Sequence, residues 1–163
     1  MVKAIMKELT ISAEPGKQEI LIVYEIEAPR PQVFAAFTNP NLISEWWGPN
    51  QYITNVDKYE LKPGGLWRFV QHDADGNIFA FHGIFHDIDQ PERVVYTFEF
   101  EGMPGHVLLE TVRFDAIQNK TRIIDQVVFQ SVEDRDGMLN AGMIDGSKQS
   151  MKRFSKLISK QIS

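Results

Sequence analysis

A chain of 163 residues is long enough to bury a substantial core without a metal or disulfide to staple it, and short enough for a single domain, residues 1–163. Its 43% hydrophobic and 24% charged content excludes wholesale disorder, and a net charge of −5 speaks against nucleic acid as a partner, because the overall field repels a phosphate backbone. The absence of cysteine removes disulfides, thiolate metal sites and a cysteine nucleophile, and fits a cytoplasmic location.

Residues 1–17 read as an N-terminal extension. Met1 to Ser12 lacks the apolar run of a signal peptide, and no stretch approaches the roughly 20 apolar residues of a membrane span. The expectation is a protein that is neither exported nor membrane-spanning. From Gln18 to Ala28 the sequence alternates, with Ile20, Ile22, Tyr24 and Ile26 on one face, which predicts a strand with one wetter side. Pro29 and Pro31 stop it, and Val33, Phe34 and Phe37 recur at helical spacing. Asn39-Pro40 starts a second short helix with Leu42, Ile43, Trp46 and Trp47 on its apolar side, and Gly48-Pro49 ends it.

Six further strand-like segments follow, near residues 52–61, 66–72, 78–88, 93–100, 107–116 and 122–130, separated by turn residues such as Pro63-Gly64-Gly65 and Asp75-Gly76-Asn77. Ser131, with Asp134 three residues on, resembles a capping box and opens a long helix over about 132–161. Gly142 and Gly146 fall inside that helix, where each costs roughly 1 kcal/mol relative to Ala, so a kink or a close approach is expected there. Lys148, Lys152, Arg153, Lys156 and Lys160 fall mainly off the apolar stripe and read as a solvated face.

The fold class is therefore α+β: a curved antiparallel sheet of about seven strands around a long C-terminal helix, with two short helices after the first strand. One helix cannot fill the concave side of so large a sheet, and the leftover volume becomes a pocket.

A combination of motifs carries a resemblance: Ala28-Pro29, Asn39-Pro40, Trp46-Trp47-Gly48-Pro49, Lys62-Pro63-Gly64-Gly65 with Trp67-Arg68-Phe69, Pro91-Glu92-Arg93, Tyr96-Thr97, and Gly142-Met143 with Gly146. Together, over roughly Glu19 to Lys160, they resemble the homologues of the heat-shock-protein-90 ATPase activator C-terminal domain, in the START-like or SRPBCC superfamily. The resemblance implies a helix-grip fold. It brings no catalytic residue with it, since the superfamily includes lipid carriers, hormone receptors and polyketide cyclases. The co-chaperone for which the family is named carries a further N-terminal domain that this chain has no room for, which argues against chaperone activation.

The candidate cavity residues are Trp46, Trp47, Trp67, Phe69, Phe79, Phe81, Phe85, Phe98, Phe100, Met103, Met143, Met151 and Phe154, an excess of rings and flexible thioethers in the second helix, middle strands and last helix. No metal, cofactor or catalytic residue is expected. His82 and His86 have helical metal-pair spacing but lie in a strand pattern, which sets them about 13 Å apart. The Asp73-Ala-Asp75-Gly76-Asn77 segment has its glycine too early for a calcium loop and reads as a hairpin turn. Pro63-Gly64-Gly65 leads into a strand and lacks the lysine of a phosphate loop.

Three functions follow from this reading. The first is binding of a small hydrophobic or amphipathic molecule. The second is a cyclase or hydrolase in the same cavity, its acid or base drawn from residues such as His82, Glu99 or Arg113, with Glu45, Asp87 and Glu101 as further acidic candidates. The third is a protein-interaction module, and an open strand edge leaves room for a homodimer.

Overall fold

The computed structural model describes residues 6–162, so the first five residues of the N-terminal extension and Ser163 lie outside the described residues. Within them the chain runs β1 (Met6–Ser12), β2 (Glu19–Ile26), α1 (Arg30–Thr38), α2 (Pro40–Trp46), β3 (Ile53–Tyr59), β4 (Leu66–His72), β5 (Ile78–Asp89), β6 (Arg93–Phe100), β7 (Val107–Ile117), β8 (Lys120–Val128), α3 (Val132–Asn140) and α4 (Met143–Ile162).

All eight strands form one antiparallel sheet in the order β1-β2-β8-β7-β6-β5-β4-β3, curved and unclosed. The meander from β3 to β8 follows chain order, and β8 returns to pair along the whole of β2. The eighth strand is β1, which adds to the outer edge of β2 within the 1–17 extension. Leu9 and Ile11, two residues apart, pack against the core from it, so the alternation that defines a strand was present there in short form.

In β2 the predicted face, Ile20, Ile22, Tyr24 and Ile26, is buried throughout. The same parity turns Val94, Val112, Phe114, Ile123 and Val127 inward on neighbouring strands. Gly83 lets β5 pass close to β6: a Cβ there would lie 1.7 Å from the Thr97 carbonyl oxygen, and the space is used by the Trp67 indole, which donates to that oxygen at 3.1 Å.

Each short helix starts as its sequence dictates. Pro31 lies in the first turn of α1, where no amide hydrogen is needed, and the Asn39 side chain accepts from the Asn41 amide to begin α2. Ser131 caps α3 by accepting from the Asp134 amide at 3.1 Å.

The C-terminal helix differs from expectation. It is two helices, parted at Ala141-Gly142, because Gly142 adopts φ +93°, a left-handed conformation that side chains rarely take. Arg153 also departs from the solvated face. Its guanidinium donates to the Gly48 carbonyl at 2.9 Å and so ties α4 to the end of α2. Ser150 adds two bonds at the same seam, accepting from the Gly48 amide at 3.1 Å and donating to the Trp46 carbonyl at 3.0 Å. These bonds fix the Trp46-Trp47 corner relative to the helix.

Candidate functional site

Beneath the α3–α4 junction the two layers fail to meet, leaving a cavity of about 680 Å³ between the helices and the concave sheet. The helical side of this space is built from small or flexible residues: Gly137, Met138, Ala141, Gly142, Met143, Gly146, Ser147 and Ser150. A smaller cavity of about 110 Å³ lies toward β3 and β4 and shares Phe37, Trp46, Trp47, Tyr96, Phe98 and Glu110 with the larger one. The larger cavity reaches the surface where exposed residues join its lining, namely Met103 and His106 of the β6–β7 loop and Gly137, Ala141 and Gly142 opposite. His106 Nδ1 and Asp134 Oδ1 stand 2.9 Å apart across this mouth and link the loop to α3.

Of the ring and thioether candidates, Trp46, Trp47, Phe79, Phe81, Phe98, Phe100, Met103, Met143 and Met151 line the large cavity. Trp67, Phe69 and Phe85 line only the small one. Phe154 lines neither: it is fully buried, with its ring centroid 4.8 Å from that of Trp46 and 5.8 Å from that of Phe37, because α4 is seated on the sheet at that turn. Trp47 stands at the centre of the wall, edge-on to Phe69 and Phe81 at 5.0 and 5.4 Å.

The polar candidates lie elsewhere. His82 is on the outer face, its Nδ1 3.0 Å from Glu101 and its Nε2 3.5 Å from Glu99. Inward parity on β6 belongs to Tyr96, Phe98 and Phe100, so Glu99 and Glu101 turn outward. Arg113, between the buried Val112 and Phe114, is exposed and pairs with Asp115; Asp87 pairs with Arg93. Glu45 is exposed on α2. None of these lines either cavity. Asp73 closes its hairpin as expected, Oδ1 accepting from the Asp75 and Asn77 amides at 2.9 Å each, with Gly76 at φ +85°.

The acidic residues that face inward from the sheet are Glu110 on β7 and Asp125 on β8, diagonal neighbours in the β7–β8 register, flanked by Tyr96 and Tyr24. The Tyr96 hydroxyl donates to Glu110 Oε2. Glu110 and Asp125 are in hydrogen-bonding contact with each other, and burial is the largest influence on both. It raises Asp125 well above the ordinary carboxyl value, reinforced by the charge of Glu110, and raises Glu110 as well, against the opposing hydrogen bonds from Tyr96 and Asp125. The two acids, in contact and both raised, therefore titrate as a pair above the ordinary carboxyl range. Tyr24 and Tyr96 are pushed up by the same desolvation and by these acids.

Three polar atoms of this interior have no partner of the ordinary kind. The Tyr24 hydroxyl, the Trp46 indole Nε1 and Asp125 Oδ1 make no hydrogen bond. Sequence reasoning passed over Glu110 and Asp125. The signal was parity: each is the one charged position in an inward series, Leu108, Glu110, Val112, Phe114 and Ile123, Asp125, Val127.

A curved sheet gripping a C-terminal helix around an internal cavity defines a helix-grip protein of the START-like class. A protein of Arthrobacter aurescens superposes with a TM-score of 0.86 over 93% of this chain and 91% of its own, at 23% identity. One from Mycobacterium smegmatis gives 0.83 over 92% and 96% at 20% identity, and the AHSA1 protein of Silicibacter pomeroyi 0.73 over 88% and 99% at 16%. The family model described as Activator of Hsp90 ATPase homolog 1-like protein matches residues 27–159, and the chain belongs to that family. No curated protein matches it. Among the described residues no helix is long and apolar enough to cross a membrane.

Proposed function

We propose that this chain binds a small hydrophobic or amphipathic molecule in the cavity beneath the α3–α4 junction. The observation that supports this reading is the 680 Å³ of space walled by rings and methionines, a size and character suited to a ligand-sized apolar body. A ligand hiding about 300 Å² of apolar surface there gains roughly 7 kcal/mol before the costs of ordering it. A sequence without cysteine favours the cytoplasm as the setting. The polar groups first considered for catalysis face away from the cavity, which weakens the cyclase or hydrolase reading in that form.

The test is native mass spectrometry of protein purified from its own host, followed by denaturing extraction. A stoichiometric hydrophobic adduct is expected, and it should be lost in Gly146→Phe. Gly146 lines the cavity, and a Cβ there already meets Pro49 Cγ at 3.4 Å, so the ring must go into the space a ligand needs. An empty protein that also ignores a broad lipid and aromatic library would overturn the proposal and favour a protein-contact role.

A further inference from the structure

The interior of the cavity is acidic, and the one imidazole in its lining, His106 at the mouth, is already paired with Asp134. Glu110 and Asp125 face the cavity, Glu133 and Asp134 stand at its mouth, and no Lys or Arg lines either cavity among the described residues. Both acids are half-buried, and a pair of carboxyls in a partly desolvated space without a cation is costly to keep. Beside the pair, the Tyr24 residue is 1% exposed and its hydroxyl has no hydrogen-bond partner, although it lines the cavity. The corresponding oxygen on the other side, Glu110 Oε2, is already satisfied by Tyr96.

We propose that the ligand is an apolar body carrying a basic amine, with its ammonium seated against the Glu110–Asp125 pair. This rests on the reading of the cavity as a ligand site and names the chemistry of its occupant. An ammonium beside the two carboxyls supplies the positive charge that no Lys or Arg of the lining supplies. It has three N–H donors, enough for one oxygen of each carboxyl and for the unpartnered Tyr24 hydroxyl. The rings of Trp46, Trp47, Phe81 and Phe98 line the same cavity, and aromatic rings attract a cation as well as an apolar body. A carboxylate ligand such as a fatty acid meets the opposite situation, a like charge in a poorly screened space.

Three probes with one ring system separate these cases: naphthylethylamine, naphthylethanol and naphthylacetate, titrated calorimetrically into the full chain at pH 7. The amine should bind at least about ten-fold tighter than the alcohol, with the acetate weakest. The double variant Glu110→Gln, Asp125→Asn keeps shape and removes charge, and should abolish the preference, leaving the amine and the alcohol within about two-fold of each other. Tyr24→Phe, a smaller change, should weaken the amine selectively. If the amine binds no better than the alcohol, or the acetate binds best, the amine proposal falls while the cavity reading stands. If none of the three binds, the amine proposal falls, and the cavity reading is decided separately by whether the purified protein carries a hydrophobic adduct.

Discussion

The two ends of the helical layer lie over the same sheet and treat it differently. From Phe154 to Ile158, α4 is seated: Phe154 and Ile158 are fully buried, and Phe34 of α1 and Phe114 of β7, 5.1 Å apart between ring centroids, belong to the same core. From Gly137 to Ser150 the helices face the sheet with glycine, alanine, serine and methionine, and the space stays open. The sheet is not short of bulk at the open end, where Phe79, Phe81, Phe98 and Phe100 gather. The cavity is therefore made by small residues on the helices and by the Gly142 break, not by any lack of large residues on the strands.

The largest expected difference is between two phenylalanines. Phe154→Ala should cost about 3–5 kcal/mol in denaturant unfolding, because it deletes a ring from close-packed surroundings that relax only in part. Phe98→Ala should cost less than half as much, since Phe98 already borders open volume and loses fewer contacts. Equal losses would mean that the open end is packed as well as the closed one.

The next effect tests the acid pair on the floor of the open end. A carboxyl whose folded value is raised keeps its proton after the unfolded chain has lost it, so the folded state binds more protons in that window. Stability should thus decline as pH climbs from the ordinary carboxyl values, 3.8 for Asp and 4.5 for Glu, toward the higher folded values. Asp125→Asn should flatten that decline and raise stability at pH 8 by about 1–2 kcal/mol, in keeping with neutral replacement of buried charge. A variant less stable than the parent at pH 8 would show that the pair is held ionised by a partner.

These regions also differed in how far the sequence revealed them. The packed end rests on local periodicity: Ile20 to Ile26 alternate, and Ile158 falls on the apolar stripe of the last helix, so their burial could be read directly. The rings of the open end could be selected as a group, but which of them border space depends on where α4 sits, a non-local fact that moved Phe154 to the core and Trp67, Phe69 and Phe85 to the smaller cavity. Glu110 and Asp125 meet only through the pairing of β7 with β8, and neither looks unusual until inward parity is fixed. The same uncertainty of parity put His82, Glu99 and Arg113 forward, all of which face out. Gly142 was marked as costly in a helix, and its φ of +93° is the reason it is there.

That glycine supplies a smaller test of how the open end is made. An alanine at 142 meets no atom within 4 Å, so any loss comes from the backbone alone. Gly142→Ala should cost about 1 kcal/mol. It should also alter ligand affinity, because relief of the strain shifts α3 against α4 at the mouth. Unchanged stability would separate the break from the glycine.

The smallest effect belongs to the outer face, where a carboxylate behaves in the opposite sense to the pair inside. Glu101 accepts from Arg68 Nε at 2.7 Å and Nη2 at 3.0 Å, and those hydrogen bonds, against a small opposing effect of burial and with help from His82, lower it to about 2. A depressed carboxyl adds stability that is present above its unfolded value of 4.5 and is lost as pH falls toward 2. Both partners are about one-third exposed, 34% for Arg68 and 31% for Glu101, so solvent weakens the pair. Glu101→Gln should cost about 0.5 kcal/mol at pH 7 and nothing at pH 2, read from thermal unfolding in low salt. The inner acids lose stability as pH rises and the outer one loses it as pH falls. Combining Asp125→Asn with Glu101→Gln should therefore remove both slopes additively, since the two sites lie on opposite faces of the sheet and share no partner.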